Sequence, residues 1–366
     1  PLHRRLRRPG EADARQDLGR AGPPQPSRSQ LSSAAHELYR SCEIVDLHVE
    51  TFVWARLLRY DLASRHGPGP LRARYLGQAD LPRLRAAGLS TVVLSIATNP
   101  ARRQGTRTAT LLVNLKRLQR ITSVSPSPLA SPSTSASTSA THGLTVYLAV
   151  QGGNAFDSPA DVRLVPDGAL VRVTLMHLTD SRLGATSSPL GRSRGRGGLT
   201  AEGRALVEAL NERRILVDLA HASRPTFSDA IDALDACHPA LPPVVTHTGV
   251  CGAHPSWRNL DDAQIRAIAD RGGVIGIMYH RGFLGRPPWK VGAEAIVRHL
   301  EHAIAVGGED VAALGSDWDG MIVTPRDMPT CLELPVLVDR MLARGWPEPR
   351  IRRVLGQNAL RVIAAR

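Results

Sequence analysis

The stretch that most limits what this chain can become lies between positions 214 and 247. Ile215-Leu216-Val217-Asp218-Leu219-Ala220-His221 is an apolar run that ends in a histidine, and Pro243-Val244-Val245-Thr246-His247 is another. Between them, Phe227, Ala230, Ile231 and Leu234 recur at helical spacing, which predicts a helix over 224–236. Strand, helix and strand in that order need a crossover, so the two strands pair in parallel and both histidines leave the same end. One histidine after an apolar run is usually a packed or surface residue. Repetition of the pattern along the chain argues for more.

Further strands are predicted over 43–48, 89–96, 144–150, 169–176, 273–279 and 311–315, with helices over 31–42, 81–87, 103–121, 261–271, 293–306, 332–343 and 350–364. About eight strands alternating with helices predict an α/β fold, a (β/α)8 TIM barrel over 31–366. Residues 1–30, rich in Arg, Pro and Gly, read as a flexible basic leader. The Ser/Thr/Pro tract 123–141 reads as a disordered surface insertion rather than a boundary, because the alternation resumes after it.

Barrel sites lie at the carboxyl ends of the strands. There this sequence places His48 with Glu50, Gln151, His177, His221, His247, Tyr279 and Asp317. His48 and Glu50 are two apart on an extended segment and so share a face. With His221, His247 and Asp317 they offer three nitrogens and two carboxylates, a mix that suits zinc, and a zinc ion with an open position supports hydrolysis. The plainer roles are a solvated loop residue for Glu50 and a helix cap for Asp317.

Composition narrows the alternatives. The formal charge of +13 invites nucleic acid, but Lys116 and Lys290 are the only lysines and the arginines are dispersed without interleaved aromatics, so no nucleic-acid partner is expected. No apolar run approaches the roughly 20 residues of a membrane span. Cys42, Cys237, Cys251 and Cys331 show neither zinc-type pairing nor disulfide density. A cytoplasmic protein is expected, with export left open because the chain begins at Pro1 rather than Met.

At this point the sequence resembles the membrane dipeptidase (renal dipeptidase) family within the metal-dependent amidohydrolase superfamily. The resemblance rests on Gly198-Leu199-Thr200, on 217–223, on Thr246-His247-Thr248, Arg258-Asn259 and Gly315-Ser316-Asp317-Trp318-Asp319-Gly320, and on 356–362, in family order. It implies a zinc-dependent dipeptidase in which His48 and Asp317 hold one ion and His221 and His247 a second. The family's Asp-x-His-x-Asp stands here as Asp46-Leu47-His48-Val49-Glu50, so Glu50 replaces a ligand aspartate. Its Glu-Gly-Gly-His stands as Gln151-Gly152-Gly153-Asn154, so an amide occupies the place of the bridging carboxylate. One zinc or none is therefore expected, the His48, Glu50 and Asp317 side keeping more charge compensation.

His177 matches the histidine that contacts the substrate carbonyl, and with Asp317 forms the expected catalytic pair. Arg258 matches the arginine that receives the substrate carboxylate, with Tyr279 and Asn154 expected on the substrate side. The expected partner is a small dipeptide, and a homodimer is left open. Two other functions stay open at this stage: a catalytically weakened relative that only binds, suggested by Gln151 and Asn154, and an amidohydrolase acting on another small amide or a lactone.

Overall fold

The computed structural model describes residues 31–366 except 70, 100–101, 124–142 and 190. The proposed leader and most of the proposed insertion thus lie outside the described residues. Eight parallel strands follow chain order around one sheet: β1 Val45–Val49, β2 Thr91–Ala97, β3 Thr145–Gln151, β4 Arg172–Thr174, β5 Leu216–Asp218, β6 Val244–Thr248, β7 Val274–Ile277 and β8 Ala312–Leu314. A parallel bridge from Val49 to Trp318 brings β1 to the end of β8 and closes the barrel. This is the (β/α)8 TIM barrel that the alternation predicts.

Among the described residues twelve α-helices accompany the strands: α1 Ser33–Ser41, α2 Phe52–Leu57, α3 Leu81–Ala86, α4 Arg107–Thr122, α5 Ala201–Glu212, α6 Arg224–Asp235, α7 Asp262–Ala269, α8 Arg281–Leu284, α9 Glu294–Gly307, α10 Pro335–Ala343, α11 Glu348–Arg352 and α12 Asn358–Ala364. Their ends carry local signals. Ser32, Asp80, Thr200, Ser223 and Asp261 accept backbone N–H groups as side-chain caps of α1, α3, α5, α6 and α7. The start of α4 comes four residues later than the sequence predicts, because the Asp157 carboxylate reaches across to Gly105 N (2.6 Å) and Thr108 N (3.1 Å) and fixes the first turn there.

Three further differences from the sequence reading are physical. The strand expected over 169–176 is regular only over Arg172–Thr174, although Val171 and Leu175 on either side still exchange backbone hydrogen bonds with the neighbouring strands. Helices α2, α5 and α8 were absent from the reading. The final helix, expected unbroken over 350–364, carries a π turn over Arg353–Gln357, where a Cβ on Gly356 would stand 2.3 Å from the Glu43 carbonyl oxygen.

The barrel has unlike ends. At one end Val45, Leu47, Val93, Val171, Leu216, Val244 and Val274 pack with Ala359, Val362 and Ile363 of α12, which plugs that end with apolar side chains. The other end, where the strands finish, is polar. The two register shifts of the sheet fall between Asp46 and Val49 and between Val245 and Thr248, the places that hold His48 and His247. Such irregularities re-aim a side chain at a barrel rim.

Candidate metal centre

At the polar end the histidines of β1 and β6 stack, with ring centroids of His48 and His247 3.8 Å apart. His221 follows β5 and brings its Nε2 to 2.9 Å from His247 Nε2. His48 Nε2 lies 3.4 Å from Glu50 Oε1 and 3.5 Å from Asp317 Oδ1. The Gln151 amide nitrogen stands 3.2 Å from His247 Nε2 and 3.3 Å from His221 Nε2. Backbone strain accompanies this convergence: His221 (φ 66°) and Asp317 (φ 62°) both adopt left-handed conformations, which cost about 1–3 kcal/mol each in a non-glycine residue.

Two aspartates hold the supports. Asp46 Oδ1 accepts from His48 N and Ser316 N, both 3.0 Å, while Asp317 N donates to His48 O at 3.0 Å, so the ends of β1 and β8 are tied together. Asp218 Oδ1 accepts from Ala220 N and Thr246 N, and its Oδ2 accepts from Thr174 Oγ1 (2.6 Å) and Thr246 Oγ1 (2.7 Å), joining β4, β5 and β6. His247 Nδ1 lies 3.0 Å from Thr246 Oγ1. Because that hydroxyl already donates to the Asp218 carboxylate, it can only accept from the imidazole, so His247 carries its proton on Nδ1 and turns a bare Nε2 to the centre.

Burial dominates the electrostatics of the cluster, with the buried cations Arg172 and Arg258 beside it. Burial drives His48, His221 and His247 well below the usual imidazole range, so the rings are neutral. Burial, then Asp317, holds Glu50 well above the usual carboxylate range, and burial pushes Asp317 up to about 8. Among the described residues, His48 Nε2 and Glu50 Oε1 are buried without a hydrogen-bond partner. The observed spacings of 2.9–3.5 Å between donor atoms are close to the roughly 3.3 Å separating neighbouring ligands in a tetrahedron with bonds of about 2.0–2.1 Å. The residues therefore fit one divalent cation, and His48, His247 and Asp317 bring ligand atoms within 4.8 Å of one another. They fit a second ion less well, since Gln151 adds no charge in either orientation of its amide.

The other expected site residues are distributed around this cluster. His177 lies at the rim, edge-on to His221 with centroids 5.1 Å apart, and burial followed by the Arg258 charge takes it down to about 4. Arg258 is buried and donates from Nη2 to His247 O at 2.6 Å; it does not pair with Asp261 or Asp262, which instead meet Arg224 (3.0 Å) and His302 (2.7 Å). Asn154 Oδ1 accepts from Thr98 Oγ1 at 3.1 Å beside a cleft of about 310 Å³ that Arg56, Arg102 and Arg107 also line. Tyr279 is the exception. Its ring is fully buried edge-on to Trp318, centroids 5.0 Å apart, which leaves no hydroxyl open to a substrate.

Arg172 is a member of the site that the sequence reading passed over. It is 2% exposed, donates from Nη1 to Thr174 Oγ1 (2.7 Å), pairs with Asp218 Oδ2 (3.1 Å), and sets Nη2 against His48 Nδ1. The available signal was a lone arginine within the apolar run Ala-Leu-Val-Arg-Val-Thr-Leu-Met.

Comparison with known proteins agrees with this architecture. The family model described as membrane dipeptidase (peptidase family M19) matches residues 32–366. An uncharacterized protein in the pqqA 5′ region of Klebsiella pneumoniae is 37% identical over 169 residues, which is 45% of this chain and 60% of that protein. A metallo peptidase from Rhodobacter sphaeroides, solved with a phosphinate mimic of the dipeptide L-Ala-D-Ala, superposes with a TM-score of 0.73 at 22% identity, covering 88% of this chain and 99% of its own. An amidohydrolase from Pseudomonas aeruginosa gives a TM-score of 0.70 at 21% identity over 90% of this chain and 98% of its own. Among the described residues no helix is long and apolar enough to cross a membrane.

Proposed function

The chain belongs to the membrane dipeptidase family of metal-dependent hydrolases, and from that premise we propose that it hydrolyses the peptide bond of dipeptide-sized substrates at the barrel mouth. The observation that carries this reading is the meeting of three neutral imidazoles with two buried carboxylates that burial holds above their usual range. Glu50, His221, His247 and Asp317 would hold one divalent ion, zinc in the family, with His48 beside them. Such an ion supplies an acidified water and polarises a carbonyl.

The chain's own side chains do the positioning. His177, neutral and at the rim, is set to hydrogen-bond the carbonyl oxygen as negative charge grows there. Asp317, whose carboxylate faces His48 at the centre, would take a proton from water and pass it to the leaving amine. Arg258 uses one N–H on the His247 carbonyl and retains others for the substrate carboxylate. The Rhodobacter sphaeroides peptidase, which shares the fold, was solved with a phosphinate mimic of a dipeptide, and this supports a substrate of dipeptide size.

Gln151 favours a second reading, in which the pocket binds dipeptides and turns them over slowly or not at all. Its amide faces both His221 and His247 without supplying charge. Incubating zinc-replete protein with a panel of dipeptides and quantifying released amino acids separates the two. Hydrolysis by wild type that falls at least about 100-fold in His247→Ala supports the enzyme. Wild type no faster than His247→Ala on every dipeptide leaves the binding protein.

A further inference from the structure

Arg172 lies inside the barrel directly beneath the centre, and its guanidinium consists only of donors. The ring atom it meets, His48 Nδ1, must therefore accept. A neutral imidazole has one N–H, so the His48 proton sits on Nε2, the atom that faces Glu50 Oε1 at 3.4 Å and Asp317 Oδ1 at 3.5 Å. His247 has the opposite arrangement, since Thr246 Oγ1 and Asp218 hold its proton on Nδ1. Two stacked histidines thus turn unlike faces to one cavity, His247 a lone pair and His48 a hydrogen. A protonated Nε2 cannot ligate a metal.

We propose that Arg172 takes the place of a cation in this centre: it holds His48 with its Nε2–H turned toward Glu50 and Asp317, and it confines the metal to the side of His221 and His247. Arg172 acts through His48 and is a positioning residue. The proposal rests on the metal-centre reading above and deepens it. It reverses the expectation, drawn from ligand charge alone, that the His48 side retains the ion. Arg172 brings one positive charge and Gln151 removes one negative charge relative to the family's glutamate, together the charge of one divalent ion. The network around Arg172 suits a permanent resident: Nη1 reaches both Thr174 Oγ1 and Asp218 Oδ2, and Nη2 also lies 3.4 Å from Leu47 O.

The test uses the full chain and does not depend on hydrolysis. Nitrogen NMR of histidine-labelled protein, with the His48 signals assigned by their loss in His48→Gln, reads the tautomer with and without zinc. The expected result is a proton on Nε2 of His48 and on Nδ1 of His247 in both states; a His48 with bare Nε2 in the zinc-loaded protein overturns the proposal. Zinc per chain, measured by elemental analysis after loading and desalting, should be higher in Arg172→Met than in wild type by about one ion, with Arg172→Lys behaving as wild type. Equal zinc in wild type and a folded Arg172→Met overturns it as well. If Arg172→Met does not fold, the wild-type tautomer decides alone. Absent dipeptide hydrolysis alongside the expected tautomers and zinc counts would defeat the proposed function and leave this inference standing.

Discussion

Replacing Gln151 by glutamate should create a place for a second ion. The amide nitrogen already stands 3.2 and 3.3 Å from the Nε2 atoms of His247 and His221, and the amide oxygen lies 2.9 Å from Thr174 Oγ1, so an isosteric carboxylate needs no new space. A unit negative charge about 4 Å from a divalent cation attracts it by about 8 kcal/mol at an effective dielectric constant near 20. Desolvation of the added carboxylate removes several kcal/mol of that. A net gain of about 2–4 kcal/mol remains, which corresponds to roughly 30- to 1000-fold tighter binding of the second ion. Chelator competition against zinc, with elemental analysis of both proteins, measures it, and dipeptide hydrolysis should rise in parallel. Two zinc ions per wild-type chain, with no change in Gln151→Glu, would refute the electrostatic argument and restore an ordinary two-metal enzyme.

Three further outcomes are expected. His247→Ala removes the imidazole that presents a bare Nε2 and should weaken zinc binding at least about tenfold; calorimetric titration showing unchanged affinity would remove His247 from the ligand set. Gly203→Ala lies within α5, where alanine normally stabilises, yet its Cβ would stand 2.1 Å from the Leu183 carbonyl oxygen, so the thermal midpoint should fall by the equivalent of about 1–3 kcal/mol, and a rise would show that the backbone gives way freely. Asp180 is opposed by burial, but hydrogen bonds from Ser193 N (2.6 Å) and Thr186 N (2.9 Å) prevail and hold its carboxyl below the usual value. A depressed folded value means that its contribution is present above about pH 4 and lost as pH falls through the folded value; Asp180→Asn should therefore lower the midpoint at pH 7, with the gap to wild type narrowing as pH falls below the folded value, and a gap independent of pH would contradict this.

The alternation of apolar runs and helical periods made the barrel legible, because each strand of a parallel sheet is buried on both faces and reads as one continuous run. Strand-end position also pointed to His48, Glu50, His221, His247 and Asp317. What it could not convey is which way a tip turns. Tyr279 ends its strand as His247 does, yet packs inward on Trp318, while Arg172, inside a run that reads as buried strand, sits beneath the centre. Asp46 and Asp218 stood in quoted motifs, but their work is to bind backbone N–H groups of neighbouring strands, contacts across 270 and 28 residues that no local spacing reveals. Helix α5 was missed although Thr200 caps it, since Gly203 in its first turn argues against a helix until the close approach to Leu183 is seen.

The measurement that bears most directly on the central claim is zinc per chain of purified, metal-replete wild-type protein, taken beside its hydrolysis of dipeptides before and after chelation. One ion per chain, with hydrolysis that disappears on chelation and returns with zinc, is the result predicted for a dipeptidase centre built on His221, His247, Glu50 and Asp317. Hydrolysis that survives complete removal of metal, or a chain that retains no zinc at saturating concentration, would contradict it.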